Sequence, residues 1–232
     1  GPGGEGTPVR GRVPPLHHVR LGMVTQTPIS SRVAALEELI RDRRSIREFR
    51  AEPPSRGLIE EMLQHVLWSP SPHNVQPWRF TVLFQRSDRE RLATAMGREL
   101  DSELRAGGLD AEAIEKQVTR SQHRISTAPV AILCSVVGDG LVSYGEARRD
   151  GLEWQMAVQS VGAVLQTLFL IAASHGIGTC WMAAPMYCPR VVRGTLSLPD
   201  GFSPQALVLL GYPAAGGRMR ARLPFDEVVD IR

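Results

Sequence analysis

The chain has 232 residues, 43% of them hydrophobic and 22% charged, the composition of a folded globular protein and not of a disordered one. Its 27 Lys and Arg against 24 Asp and Glu leave a net charge of +3, too small an excess to indicate nucleic-acid binding. The three cysteines, Cys134, Cys180 and Cys188, have neither disulfide-framework nor zinc-site spacing, which points to a reducing compartment.

Residues 1–29 are rich in Gly, Pro and Arg and read as an extended arm, with Gly1-Pro2 as a cloning scar. Ser31 opens a helix that carries Val33, Leu36 and Ile40 on one face and ends near Asp42. After Pro53-Pro54, Ser55 caps a second helix with Leu58, Ile59, Met62, Leu63, Val66 and Leu67. That helix must stop at Ser69-Pro70-Ser71-Pro72, because proline cannot continue it. A loop, His73-Asn74-Val75-Gln76-Pro77, leads to a strand over Trp78–Phe84. Ser87 and Glu90 have capping-box spacing for a third helix. Asp110 opens a fourth, up to about Ile125.

The run Pro129–Val137 is continuously apolar, as in a strand buried on both faces. A long helix from about Leu152 to Ser174 is apolar nearly all round and belongs in the core or in a subunit interface. Its purely apolar run, Leu168–Ala173, is far short of the ~20 residues of a membrane span. With no secretory leader recognised, the expectation is a cytoplasmic protein without a membrane or nucleic-acid partner. Gly176 supplies the left-handed cap of the long helix. Thr179–Met182 is a short strand, a brief helix starts near Pro189, and Leu207–Leu210 is the last core strand. The tail carries Arg218, Arg220 and Arg222 on alternate residues. Alternating helices and strands around a layered sheet give an α/β or α+β class.

The usual side-chain catalysts are missing. There is no G-x-G-x-x-G, P-loop or G-x-S-x-G motif, and no His–acid pair at metal-ligand spacing. If the chain is an enzyme, a bound cofactor carries the chemistry. Three segments invite that reading, and each has a plainer one. Arg43, Arg44 and Arg47 surround Ser45 and can hold a phosphate through charge-assisted hydrogen bonds, or form a solvated basic turn. The amides of Asn74 and Gln76 can read a planar ring edge, or bond the backbone of their own loop. Gly176–Pro185 can let backbone approach a flat ligand, or simply stop a helix before a strand.

Taken in order, the arginine–serine cluster, the Asn-Val-Gln-Pro-Trp loop, the long helix ending in Gly-Ile-Gly-Thr-Cys-Trp, and the terminal Arg-x-Arg-x-Pro resemble the FMN-dependent nitroreductase superfamily from Arg43 to Pro224. The segments Gly108–Glu115, Arg120–Gln122, Ala128-Pro129, Asp139–Tyr144, Ala147-Arg148, Gly178–Trp181 and Val192–Pro213 are similar to the reductase-domain family of coenzyme F420 biosynthesis. The loop departs from that family, which favours a second His where this chain has Asn74, as general nitroreductases do.

The resemblance implies an α+β layered fold with a central mixed antiparallel sheet flanked by helices, and an intertwined homodimer. It implies an FMN-binding domain over 30–213 and a C-terminal arm over 214–232 that completes the flavin site. Arg43, Arg44, Ser45 and Arg47, with Arg220 and Arg222, would hold the FMN phosphate and ribityl chain. His73 and Asn74 would border the flavin ring, with Gln76 supporting the loop and His73 a candidate proton donor. Trp181, Met182, Ala183 and Ala184 would line its other side. Arg120, Arg124, Arg148 and Arg149 are candidates for an anionic substrate, and no metal is implied. The activity implied is reduction of the enolpyruvyl double bond of dehydro-F420, with NAD(P)H or reduced F420 as candidate electron donors. A broad NAD(P)H-dependent nitro- or quinone reductase and a non-catalytic flavin- or deazaflavin-binding module are the alternatives.

Overall fold

The computed structural model describes residues 29–232. The arm expected over 1–29 therefore lies outside the described residues, except for Ile29, which opens the first helix. Four strands form one sheet: β1 (Trp78–Leu83), β2 (Val130–Val136), β3 (Gly178–Met182) and β4 (Ser203–Gly211). Their order is β1-β2-β4-β3, and all three neighbouring pairs are antiparallel. A parallel bridge from Ser45 to Thr179 adds the mixed character at the β3 edge.

Strand periodicity divides the core into two layers. On one face, Ile132 and Cys134 of β2 and Val208 and Leu210 of β4 pack against helix α2 (Arg56–Val66) and helix α5 (Ala147–Ser174). On the other, Ala131, Leu133, Leu207 and Leu209 meet helices α3 (Arg86–Ala106), α4 (Ala111–Thr127) and α6 (Pro189–Leu196). Every β2 residue is buried, which is why its sequence is apolar except for Ser135. The expected α+β layered architecture is therefore present.

Local signals explain most boundaries. The Ser55 side chain accepts the Leu58 N–H at 3.2 Å, and Asp110 accepts from Ala113 at 2.9 Å. Gly176 has φ 69°, the left-handed cap conformation. Two expectations need correction. The Ser87–Glu90 capping box does not form: α3 begins at Arg86 after Gln85, which makes no side-chain cap, and Glu90 pairs with Arg86 at 2.6 Å. The long helix begins at Ala147, not near Leu152. Its polar first turn is backed by Asp150, whose carboxylate accepts the Tyr144 N–H at 2.7 Å.

Helix α1 (Ile29–Asp42) buries none of its residues. The stripe of Val33, Leu36 and Ile40 is present but half-exposed within one chain. Helix α5 is long and apolar enough to cross a membrane by length and composition. Here one face carries Ala157, Val161, Val164, Leu165 and Leu168 into the core, as a core helix does. Leu152 and Trp154 stay outside. The tail after Pro213 is extended and exposed, with a short helix α7 (Phe225–Val228).

Candidate functional site

Residues 45–50 run between β3 and the chain leaving β4. The Ile46 N–H donates to the Thr179 carbonyl at 2.9 Å, the Arg50 N–H to Tyr212 at 2.8 Å, and the Ala214 N–H to Glu48 at 3.0 Å. These bonds lay the C-terminal arm along the arginine–serine cluster. Gly217 rests directly on Arg44, where a Cβ would collide with the arginine side chain. The result is a cleft of about 600 Å³ lined by Arg41, Arg43, Arg44, Ser45, Arg47, Arg218, Arg220 and Arg222 with Ile40 and Met219. Segments far apart in sequence thus supply guanidiniums to one place. No carboxylate lines the cleft. Arg41 has a partner, Glu37, at 3.8 Å. Arg43, Arg44, Arg47, Arg218, Arg220 and Arg222 make no ion pair among the described residues. Repulsion among like charges is costly unless an anion offsets it.

A second cleft of about 600 Å³ shares Arg43 and Arg44 with the first. Its other walls come from Ala35 and Leu39 of α1, Gly176–Thr179, Pro213 and Gly216. Gly178 differs from its expected role of exposing backbone to a flat ligand. It is buried, and a Cβ there would come within 2.7 Å of the Ile46 side chain. Its smallness admits Ile46.

The loop before β1 is unusual. His73, Asn74 and Gln76 all have positive φ, at 49°, 55° and 48°, a conformation that costs a non-glycine residue of order 1 kcal/mol each. The Ser71 hydroxyl accepts the Gln76 N–H at 3.0 Å, and the Ser71 carbonyl accepts the Asn74 N–H at 3.1 Å. The loop backbone is thus satisfied without the amide side chains. Among the described residues neither the Asn74 nor the Gln76 side chain is hydrogen-bonded. Trp78 is core, as its position at the strand start suggests.

His73 brings in a residue the sequence reading passed over. Its Nε2 lies 3.7 Å from Oε1 of Glu153, which is 4% exposed on α5. Glu153 Oε2 has no hydrogen-bond partner. The available signal was a lone carboxylate between Leu152 and Trp154 on an apolar helix.

Trp181 to Ala184 lie where edge strand β3 passes into a single 3-10 turn, Ala184–Met186. Trp181 is 46% exposed and tilts against Phe169, with ring centroids 5.9 Å apart. The first bond of the turn is donated by Met186 to Ala183, so the Ala183 and Ala184 N–H groups precede it. The four arginines expected for substrate are divided: Arg120 and Arg124 lie on α4, and Arg148 and Arg149 on the first turn of α5. Of these, Arg149 lines a cavity, with its guanidinium 3.6 Å over the Tyr144 ring.

Burial disfavours the thiolate form of all three cysteines. Burial pushes the Cys134 thiol up to about 12 and the Cys188 thiol up to about 11, the latter helped by Glu99 and Glu103. Cys180 is raised by burial against the opposing pull of Arg47 and Arg124.

A layered α+β fold and an arginine-rich, carboxylate-free cleft are the features with which known proteins can be compared. The nitroreductase family model matches residues 40–212, and the chain belongs to that family and is an oxidoreductase. It is 29% identical over 225 residues to an NADH dehydrogenase of Thermus thermophilus, covering 87% of this chain and 95% of that protein. It is 27% identical over 210 residues to nitrobenzene nitroreductase of Ectopseudomonas oleovorans, covering 76% and 86%. A nitroreductase-like family protein of Bacillus cereus shares the fold with TM-score 0.67 at 20% identity, over 91% of this chain and 99% of that one. So does a Desulfovibrio desulfuricans structure solved in complex with FMN, with TM-score 0.64 at 24% identity, over 90% and 98%.

Proposed function

We infer that this chain is an FMN-dependent reductase that takes electrons from NAD(P)H and passes them to small planar acceptors such as nitroaromatics and quinones. The observation that carries the reading is the convergence of Arg43, Arg44, Ser45 and Arg47 with Arg220 and Arg222 around one carboxylate-free cleft. The residues fit the cofactor: a dianionic phosphate suits several guanidiniums that have no carboxylate partner, together with a hydroxyl. Relatives named for NADH and for nitrobenzene support the donor and the acceptor.

When bound, FMN supplies the hydride chemistry. The protein's part is position and electrostatics. The arginines hold the phosphate end. The amides of Asn74 and Gln76, on residues with left-handed backbone, would meet the ring edge. The Ala183 and Ala184 N–H groups favour negative charge on the ring, and Trp181 closes that side. His73, whose Nε2 lies 3.7 Å from Glu153 Oε1, would be the candidate proton donor to the acceptor. Residues 30–213 form the binding domain and 214–232 the arm that completes it. Two chains pair through the exposed stripe of Val33, Leu36 and Ile40 and through Leu152 and Trp154. Free buried cysteines suit the cytoplasm.

A second reading is reduction of dehydro-F420 within coenzyme F420 biosynthesis. It rests on the likeness of the segments between Gly108 and Pro213, with Arg120, Arg124, Arg148 and Arg149 as anchors for the substrate's carboxylate and phosphate. Assays with NADH on nitrobenzene, menadione and dehydro-F420 separate the readings. Turnover of the first two alone supports the broad reductase, turnover of dehydro-F420 alone supports the second reading, and binding of FMN without turnover of any would leave a flavin-binding module.

A further inference from the structure

We propose that the cavity between α3 and the turn after β3 binds a small organic cation, a primary ammonium group carried on a flat apolar body. The site lies on the sheet face opposite α5 and shares no residue with the arginine cleft. It goes beyond the reductase reading and does not rest on it.

The cavity measures about 340 Å³, the size of a small-molecule pocket. Met96, Leu100, Ala184 and Cys188 make its walls apolar, and the Cys188 thiol donates to the Ala184 carbonyl at 3.5 Å along one wall. Tyr187, 71% exposed, lines it as well. The charged lining has one sign: Glu99 and Glu103, one turn apart on α3, with no Lys or Arg. The other acids of α3 make the contrast. Asp88, Glu90 and Asp101 each have an arginine partner on the same helix: Arg91 at 2.8 Å, Arg86 at 2.6 Å and Arg105 at 2.7 Å. Glu99 and Glu103 have neither an ion pair nor a hydrogen bond among the described residues. Like charges at this spacing repel, so the pair costs stability unless a cation joins them. The Cys188 thiol is pushed up to about 11 by burial and then by Glu99 and Glu103, as expected of two carboxylates on the cavity side of the helix. An ammonium group here meets two acceptors and an aromatic ring, and its apolar body covers Met96 and Leu100. A metal ion would need more oxygen ligands than two carboxylates supply, and the described residues hold no group of three metal-ligating side chains.

The test uses the full chain at neutral pH and two probes of nearly equal shape, benzylamine, which is protonated there, and benzyl alcohol, which is neutral. Ligand-detected NMR gives the dissociation constants. We expect benzylamine to bind about tenfold more tightly at low ionic strength, with the preference shrinking as salt is added. The double variant Glu99→Gln, Glu103→Gln keeps the shape and removes the charge. It should bind the two probes about equally, with benzyl alcohol unchanged from the wild type. Tyr187→Ala should weaken both probes. Relief of the repulsion should leave the double variant melting no lower than the wild type, which separates a lost site from a lost fold. Glu103→Gln alone, at the more exposed of the two positions, should narrow the preference and serves if the double variant does not fold. No saturable binding of benzylamine to the wild type, equal binding of the two probes, or a preference kept in the folded double variant or, where that does not fold, undiminished in Glu103→Gln, overturns the proposal. Each of these results leaves FMN binding at the arginine cleft untouched, so the reductase reading stands or falls separately.

Discussion

The Ile46 N–H donates to the Thr179 carbonyl at 2.9 Å, and Gly178 beside it leaves room for the Ile46 side chain. This contact ties the arginine–serine cluster to the sheet edge. Gly178→Val would place a branched side chain where a Cβ already comes within 2.7 Å of Ile46. The variant should lose about 1–3 kcal/mol of stability by overpacking and bind FMN more weakly, as the cluster is displaced. Thermal melting and a flavin titration check both effects. Unchanged FMN affinity in a destabilised variant would separate the cluster from the cofactor.

Arg47→Ala and Arg222→Ala remove guanidiniums from opposite ends of the chain but from the same cleft. Each should cost FMN binding roughly tenfold to a hundredfold, the range for one hydrogen bond to a charged group. The losses should shrink at high salt. Fluorescence-quench titrations at two ionic strengths measure this.

The core prediction concerns Leu165, fully buried on the inner face of α5. Leu165→Ala should destabilise by about 2–5 kcal/mol, read from the urea midpoint. Leu36→Glu lies on a helix with no buried residue, so it should leave the chain folded and, if two chains pair through this stripe as proposed, yield a monomer in sedimentation where the wild type is a dimer.

The buried thiols give a pH dependence with a definite sign. Cys134 titrates near 12 and Cys188 near 11 when folded, against an ordinary 9.0. Above pH 9 the unfolded chain loses these protons first, so it binds fewer than the native state and stability falls as pH rises. The contribution is intact below 9 and declines towards 12. Chemical denaturation between pH 8 and 10.5 should show the decline, and Cys134→Ala should flatten it. At pH 7 the native protein should resist thiol-specific alkylation until it unfolds.

Much of this was legible in the sequence because the signals were local. Ser55, Asp110 and Gly176 each act within a few residues of themselves, and β2 declares its burial by composition. The meeting of Arg43–Arg47 with Arg220 and Arg222 was reachable only through family likeness, since nothing local links them. Glu153 was missed because its meaning depends on His73, which a strained loop brings to it across the fold. The roles of Gly178 and Gly217 were hidden for the same reason: each is defined by what it touches, Ile46 and Arg44. The capping box failed because Arg86 offered Glu90 a closer partner than the helix end did.

The arginine cleft is proposed above to hold the phosphate of a flavin mononucleotide. The most direct test removes any bound flavin and titrates the protein with FMN and with riboflavin, which has the same ring and no phosphate. About one FMN per chain should bind, at least tenfold more tightly than riboflavin, and Arg222→Ala should narrow that preference without weakening riboflavin. Equal affinity for FMN and riboflavin in the wild type, or no flavin binding at all, would contradict it.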